Sequence, residues 1–128
     1  MSYVLIVDDE TTVRDMMQRM LTFLGYETMV ATNGAEALEQ MRLRRPCVVL
    51  LDIRMPVMDG FEFRRQQLAD PALADIPVVC VSGYYEPDSV YDELQLVCLE
   101  KPVALASVSR AVAAHCGDGH KRLKSDGS

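Results

Sequence analysis

The sequence contains no apolar run approaching the ~20 residues that a membrane-spanning helix needs. Positive charge is in deficit: 13 Lys and Arg stand against 19 Asp and Glu, for a net charge of −6. Such a chain gains nothing from a nucleic-acid phosphate backbone or an anionic membrane surface, so neither is an expected partner. No basic segment precedes the first apolar run. Met1-Ser2-Tyr3 leads directly into Val4, so this segment is not expected to act as a secretory leader. The four cysteines, Cys47, Cys80, Cys98 and Cys116, include no C-x-x-C pair. They read as separate, buried, reduced thiols, which implies a reducing, cytoplasmic setting. The two histidines, His115 and His120, lie late in the last helical pattern and in a polar tail, away from any motif.

What remains is one domain's worth of chain, 128 residues with 49% hydrophobic and 25% charged residues. Four short apolar runs stand out: Val4-Leu5-Ile6-Val7, Val48-Val49-Leu50-Leu51, Val78-Val79-Cys80-Val81 and Leu96-Val97-Cys98-Leu99. They are rich in β-branched residues and show no polar alternation, as strands covered on both faces do. A fifth, more polar run, Glu27 to Ala31, fits an edge strand.

Helical patterns lie between these runs. Val13, Met16, Met17, Met20, Leu21 and Leu24 share one face and end at Gly25. Asn33 with Glu36, and Asp59 with Glu62, have the spacing of helix caps. The first leads into Ala37, Leu38 and Met41, the second into Phe61 and Leu68. Pro87 suits the first turn of a helix carrying Val90 and Leu94. Leu105, Val108 and Val112 mark a last helix. The alternation predicts an α/β domain: an open, doubly wound, five-stranded parallel sheet. The domain is expected over residues 1–117. The polar remainder, 118–128, has too little apolar surface to pack and is expected to form a flexible tail.

In such a sheet the site lies beyond the carboxyl ends of the strands. The residues there are Asp8 and Asp9 after the first strand, Asp52 after the third, Ser82 after the fourth and Lys101 after the fifth. Clustered carboxylates repel one another unless they protonate or share a cation. Oxygen ligands with room for water and a phosphoryl group suit Mg²⁺. A hydroxyl at Ser82 and an ammonium at Lys101 suit the phosphoryl oxygens. Arg42, Arg44 and Arg45, after the second helix, read instead as a solvated helix end.

Four segments carry a resemblance to a known family: Val7-Asp8-Asp9-Glu10, Leu51-Asp52-Ile53-Arg54-Met55-Pro56-Val57-Met58-Asp59-Gly60, Val81-Ser82-Gly83 and Lys101-Pro102. Together they resemble the receiver domain of two-component response regulators, in its single-domain, chemotaxis-regulator-like form. The resemblance covers residues 3 to about 116. It implies a flavodoxin-like (βα)5 fold with strand order 2-1-3-4-5. It also implies a phosphoacceptor at Asp52 and Mg²⁺ held by Asp8, Asp9, Asp52 and the backbone carbonyl of Arg54. Ser82 and Lys101 would then hold the phosphoryl group.

The implied donor is a histidine kinase or a histidine phosphotransfer protein. The residues after Gly117 are too few for an output domain, so the expected output is contact with a downstream protein or phosphoryl relay, unless the chain is a fragment of a longer one. Arg54 and Tyr84 fall at the rim of the site, where they are expected to lengthen the life of the phosphoryl group. Gly60 is expected to supply a positive φ in the loop after Asp52. Cys98 departs from the family pattern, which has an aromatic residue there whose rotamer follows activation. The stretch between Ser82 and Lys101 is also short, which predicts a short fourth helix. A phosphatase with an Asp nucleophile is a rival reading, but such enzymes carry a second Asp where this chain has Arg54. A binding module that is never phosphorylated would not need the full acidic, Ser and Lys set.

Overall fold

The computed structural model describes residues 2–53, 55, 57–82, 88–100 and 104–117. The elements alternate as the sequence predicts. They are β1 (Val4–Val7), α1 (Thr11–Phe23), β2 (Thr28–Ala31), α2 (Gly34–Leu43), β3 (Val48–Asp52), α3 (Gly60–Ala69), β4 (Val78–Ser82), α4 (Asp88–Glu93), β5 (Val97–Glu100) and α5 (Leu105–Cys116). All neighbouring strands are parallel, in the order β2-β1-β3-β4-β5. The tail, 118–128, lies outside the described residues.

Successive side chains of a strand point to opposite faces, so an apolar strand feeds two cores. Leu5, Val7, Val49, Leu51 and Cys80 join Ala37, Leu38, Met41 and Phe63 from α2 and α3 on one face. Val4, Ile6, Leu50, Val79 and Val81 meet Met17, Leu21, Val108 and Val112 from α1 and α5 on the other. In α1, Met17 and Leu21 are buried while Met16 is 43% exposed. Met16 and Leu105, both placed on apolar faces by the sequence pattern, therefore sit at the margins of their helices.

Both predicted caps form. The Glu36 N–H donates to Asn33 Oδ1 at 2.9 Å, and the Glu62 N–H to Asp59 Oδ1 at 2.9 Å. Gly25 follows α1 with φ of 94°, a conformation that suits a residue without a Cβ. α3 corrects the expected apolar pattern. Its buried residues are Gly60, Phe63, Arg64 and Gln67 rather than Phe61 and Leu68. Arg64 donates from Nε to the Leu94 carbonyl and from its terminal nitrogens to Gln67 Oε1 and the Gln95 carbonyl. Gln67 Nε2 donates to the carbonyls of Leu73 and Ile76. Satisfied in this way, two polar side chains occupy positions that periodicity assigns to apolar ones. Burial lowers the pKa of the Arg64 guanidinium.

The cysteines require a larger correction. They are paired, Cys47 with Cys116 and Cys80 with Cys98. Pairs 69 and 18 residues apart in sequence meet because of topology. The β4–β5 register sets Cys80 opposite Cys98, and α5 returns its last residue to the start of β3. The cysteines therefore lend no support to a reducing setting. β5 is also an edge strand, with Val97 70% exposed, so it is not covered on both faces as its composition suggests.

Candidate functional site

Register assembles the site. Val7 pairs with Leu51, so Asp8 and Asp52 follow as neighbours at the ends of adjacent strands. Asp52 pairs with Val81, and Ser82 is the next residue of β4. Ser82 in turn pairs with Glu100, the last residue of β5, which Lys101 follows in sequence. Lys101, Arg54 and Tyr84 lie outside the described residues.

Asp8 and Asp52 are buried, at 3% and 6% exposure, whereas Asp9 and Glu10 are exposed. Asp8 Oδ1 accepts the Glu10 N–H at 2.9 Å, and the Asp8 carbonyl accepts from the Arg14 guanidinium at 2.8 Å. These bonds fix the turn from β1 into α1. One carboxylate oxygen from each of Asp8, Asp9 and Glu10 falls within a 4.8 Å cluster. Glu10 stands at the N-cap of α1 but makes no capping hydrogen bond through its side chain. Its place in the acidic cluster is legible in the Asp-Asp-Glu triplet, although sequence reasoning assigned it no role. Hard oxygen donors at the ends of two adjacent strands fit a divalent cation of the Mg²⁺ type.

The loop after Asp52 is pinned at both ends. Ile53 is buried, and its carbonyl accepts the Gly60 N–H at 2.8 Å. Gly60 lies in α3 and is absent from the described glycines with positive φ, Gly25 and Gly117. Its lack of a side chain serves close approach instead. A Cβ there would stand 2.7 Å from the Asp52 carbonyl oxygen and 2.8 Å from Ile53 Cα. Among the described residues of this loop, Val57 is left-handed, with φ of 69° and 86% exposure. A β-branched residue is disfavoured there, and an exposed one loses little packing on truncation. Val57→Gly is therefore expected to raise stability by about 1 kcal/mol, read as a higher urea midpoint at unchanged slope.

The arginine cluster sits away from these strand ends and is engaged in ion pairs. Arg42 pairs with Asp70 at 3.7 Å, Arg44 with Glu27, and Arg45 with Asp75 at 2.9 Å. That agrees with a solvated surface rather than a phosphate site.

Residues 4–113 match the response regulator receiver domain family. The chain belongs to that family. As a receiver domain of a two-component response regulator, it is a member of a group whose general function is a phosphorylation switch in signalling. Sporulation initiation phosphotransferase F of Bacillus subtilis is 34% identical over 113 residues, covering 85% of this chain and 89% of the relative. The probable transcriptional regulator ycf27 of Pyropia yezoensis is 36% identical over 87 residues, covering 65% of this chain. The match spans only 33% of that longer protein. Among solved structures, the chemotaxis protein CheY4 of Vibrio cholerae superposes with a TM-score of 0.81 at 28% identity. That match covers 90% of this chain and 98% of CheY4. Receiver domains generally bind Mg²⁺ at an acidic pocket, and the Asp8, Asp9 and Glu10 cluster has that character.

Proposed function

We propose that this receiver accepts a phosphoryl group on Asp52 from the phosphohistidine of a kinase or phosphotransfer protein. The observation that carries this reading is the placement of Asp52: a buried carboxylate ending β3, beside the buried Asp8 and one residue of register from Ser82. Asp52 attacks as a carboxylate nucleophile, and an acyl phosphate results. Asp8, Asp9, Asp52 and the Arg54 carbonyl would hold Mg²⁺, which when bound would neutralise the charge that opposes the incoming phosphoryl group. Ser82 and Lys101 hold the product's oxygens. Phosphorylation then changes the surface near α4 and β5, which controls contact with a downstream protein. The setting is cytoplasmic, and the domain does not turn over an external substrate.

One oxygen of Asp8 already accepts the Glu10 N–H, whereas Asp9 is exposed beside it. Asp9→Ala is thus expected to weaken Mg²⁺ affinity by about tenfold or more, and Asp8→Ala by less. Labelling of the native chain by acetyl phosphate should stop in excess chelator. Equal labelling with and without Mg²⁺ would refute the metal's role.

Loss of the phosphoryl group needs a water in line with the bond to Asp52. Arg54 and Tyr84, two residues beyond Asp52 and Ser82 in sequence, are bulky, and the family resemblance would set them at the rim of that approach. Arg54 also offers a charge-assisted hydrogen bond to a phosphoryl oxygen. Arg54→Asn combined with Tyr84→Ala is expected to hydrolyse faster, by up to ~10²-fold. An unchanged half-life would remove the shielding role and leave the phosphoacceptor in place.

A further inference from the structure

Cys80 and Cys98 are register partners in adjacent parallel strands, and their sulfurs are bonded, with Cα atoms 4.2 Å apart. Parallel neighbours ordinarily lie about 4.7–4.9 Å apart, so the two backbones approach more closely here than the sheet alone requires. The two sulfurs differ in access. Cys80 is 0% exposed, within the core under α2 and α3, whereas Cys98 is exposed on the edge strand. The other disulfide joins half-buried Cys47 and Cys116 at the start of β3 and the end of α5, away from the strand ends that carry Asp52 and Ser82.

We propose that Cys98 is a redox modification site for small-molecule disulfides of the glutathione class, with Cys80 as its resolving thiol. We further propose that the bond they form slows phosphorylation of Asp52. In the reduced protein the Cys98 thiolate attacks one sulfur of oxidised glutathione. The glutathione disulfide breaks, one glutathione leaves as a thiolate and takes up a proton, and a mixed disulfide remains on Cys98. Cys80 then loses its proton and attacks the Cys98 sulfur, and the second glutathione leaves. Two protein thiols have given up two electrons and two protons, and one oxidised glutathione has become two reduced ones. Exposure sets the order, because only Cys98 meets a molecule of that size.

The coupling to phosphorylation rests on the phosphoacceptor reading above. Ser82 lies two residues beyond Cys80 in β4, so the bond sits about 7 Å along that strand from it, and Lys101 follows three residues after Cys98 in sequence. Closed, it holds β4 and β5 at the short spacing. Opened, it lets them return to ordinary spacing. Cys98 also stands where the family resemblance places a mobile aromatic, and a bonded sulfur cannot change rotamer as that side chain does. Holding β4 and β5 closer at Cys80 and Cys98 is expected to slow acetyl phosphate labelling by about tenfold in the oxidised form.

The test uses the full chain, reduced with dithiothreitol and then exposed to oxidised glutathione, with peptide mapping by mass spectrometry. Native protein should regain the Cys80–Cys98 link. Cys80→Ser should accumulate a glutathione adduct on Cys98, and Cys98→Ser should carry none on Cys80. Brief exposure of native protein, quenched with iodoacetamide, should trap the same Cys98 adduct without any substitution. An adduct first on Cys80, or none on Cys98, would overturn the site. Labelling by acetyl phosphate should differ between oxidised and reduced Cys47→Ser protein as it does in the native chain. Equal rates in the two states would overturn the coupling while leaving the phosphoacceptor reading intact. No labelling in either state would overturn both of those, and the adduct map would still decide the cysteine chemistry.

Discussion

Asp52→Asn is expected to fold as the parent does and to take up no phosphoryl group. The amide matches the carboxylate in size, so the end of β3 keeps its register with Val81. Stability should therefore change little. An amide oxygen is not a nucleophile toward phosphorus under these conditions, so labelling by acetyl phosphate with Mg²⁺ should fall to background. Circular dichroism and urea titration would show the fold intact beside that loss. Labelling of Asp52→Asn at the parental rate would move the phosphoacceptor elsewhere.

Gly60→Ala is expected to damage both fold and site. The added methyl would lie 2.7 Å from the Asp52 carbonyl oxygen, 2.8 Å from Ile53 Cα and 2.9 Å from Ile53 Cδ1. Two of these atoms belong to the backbone, so no flexible side chain can yield. Either α3 retreats, losing the 2.8 Å bond from the Gly60 N–H to the Ile53 carbonyl, or the Asp52–Ile53 segment shifts. Overpacking of this kind costs about 1–3 kcal/mol, and the strained bond adds about 1 kcal/mol. The melting temperature should fall by roughly 10 °C or more. Gly34→Ala makes a useful contrast. Its new methyl would meet the Met58 side chain at 2.9 Å, where a thioether can move, and Phe63 Cβ at 3.0 Å, with no backbone atom as close as at Gly60, so a smaller loss is expected. A Gly60→Ala protein as stable as the Gly34→Ala protein would show that the close approach is not required.

The fold was legible because its signals are local and repeated. Apolar runs such as Val48 to Leu51 have the length and composition of buried strands. Asn33 and Asp59 cap the helices that they were expected to cap. The positions of Asp8, Asp52 and Ser82 were legible because a parallel α/β sheet puts its chemistry at one end. What the sequence concealed depends on which segments become neighbours. The disulfides need the β4–β5 register and the return of α5, which no spacing rule encodes. Arg64 and Gln67 are buried because the carbonyls of Leu94, Gln95, Leu73 and Ile76 converge on them, and helical periodicity cannot anticipate those acceptors. Gly60 was legible as a special position but not for its reason. A motif shows that a glycine is wanted, and only the packing shows that it answers to proximity rather than to φ.

The central claim, that Asp52 receives the phosphoryl group, is tested most directly by locating it. The native chain would be treated with acetyl phosphate and Mg²⁺, digested rapidly at low pH and mapped by tandem mass spectrometry. One phosphoryl group per chain is expected, on Asp52, and it should disappear when Mg²⁺ is chelated. A phosphoryl group on any other residue, or none under conditions that label a known receiver in parallel, would contradict it.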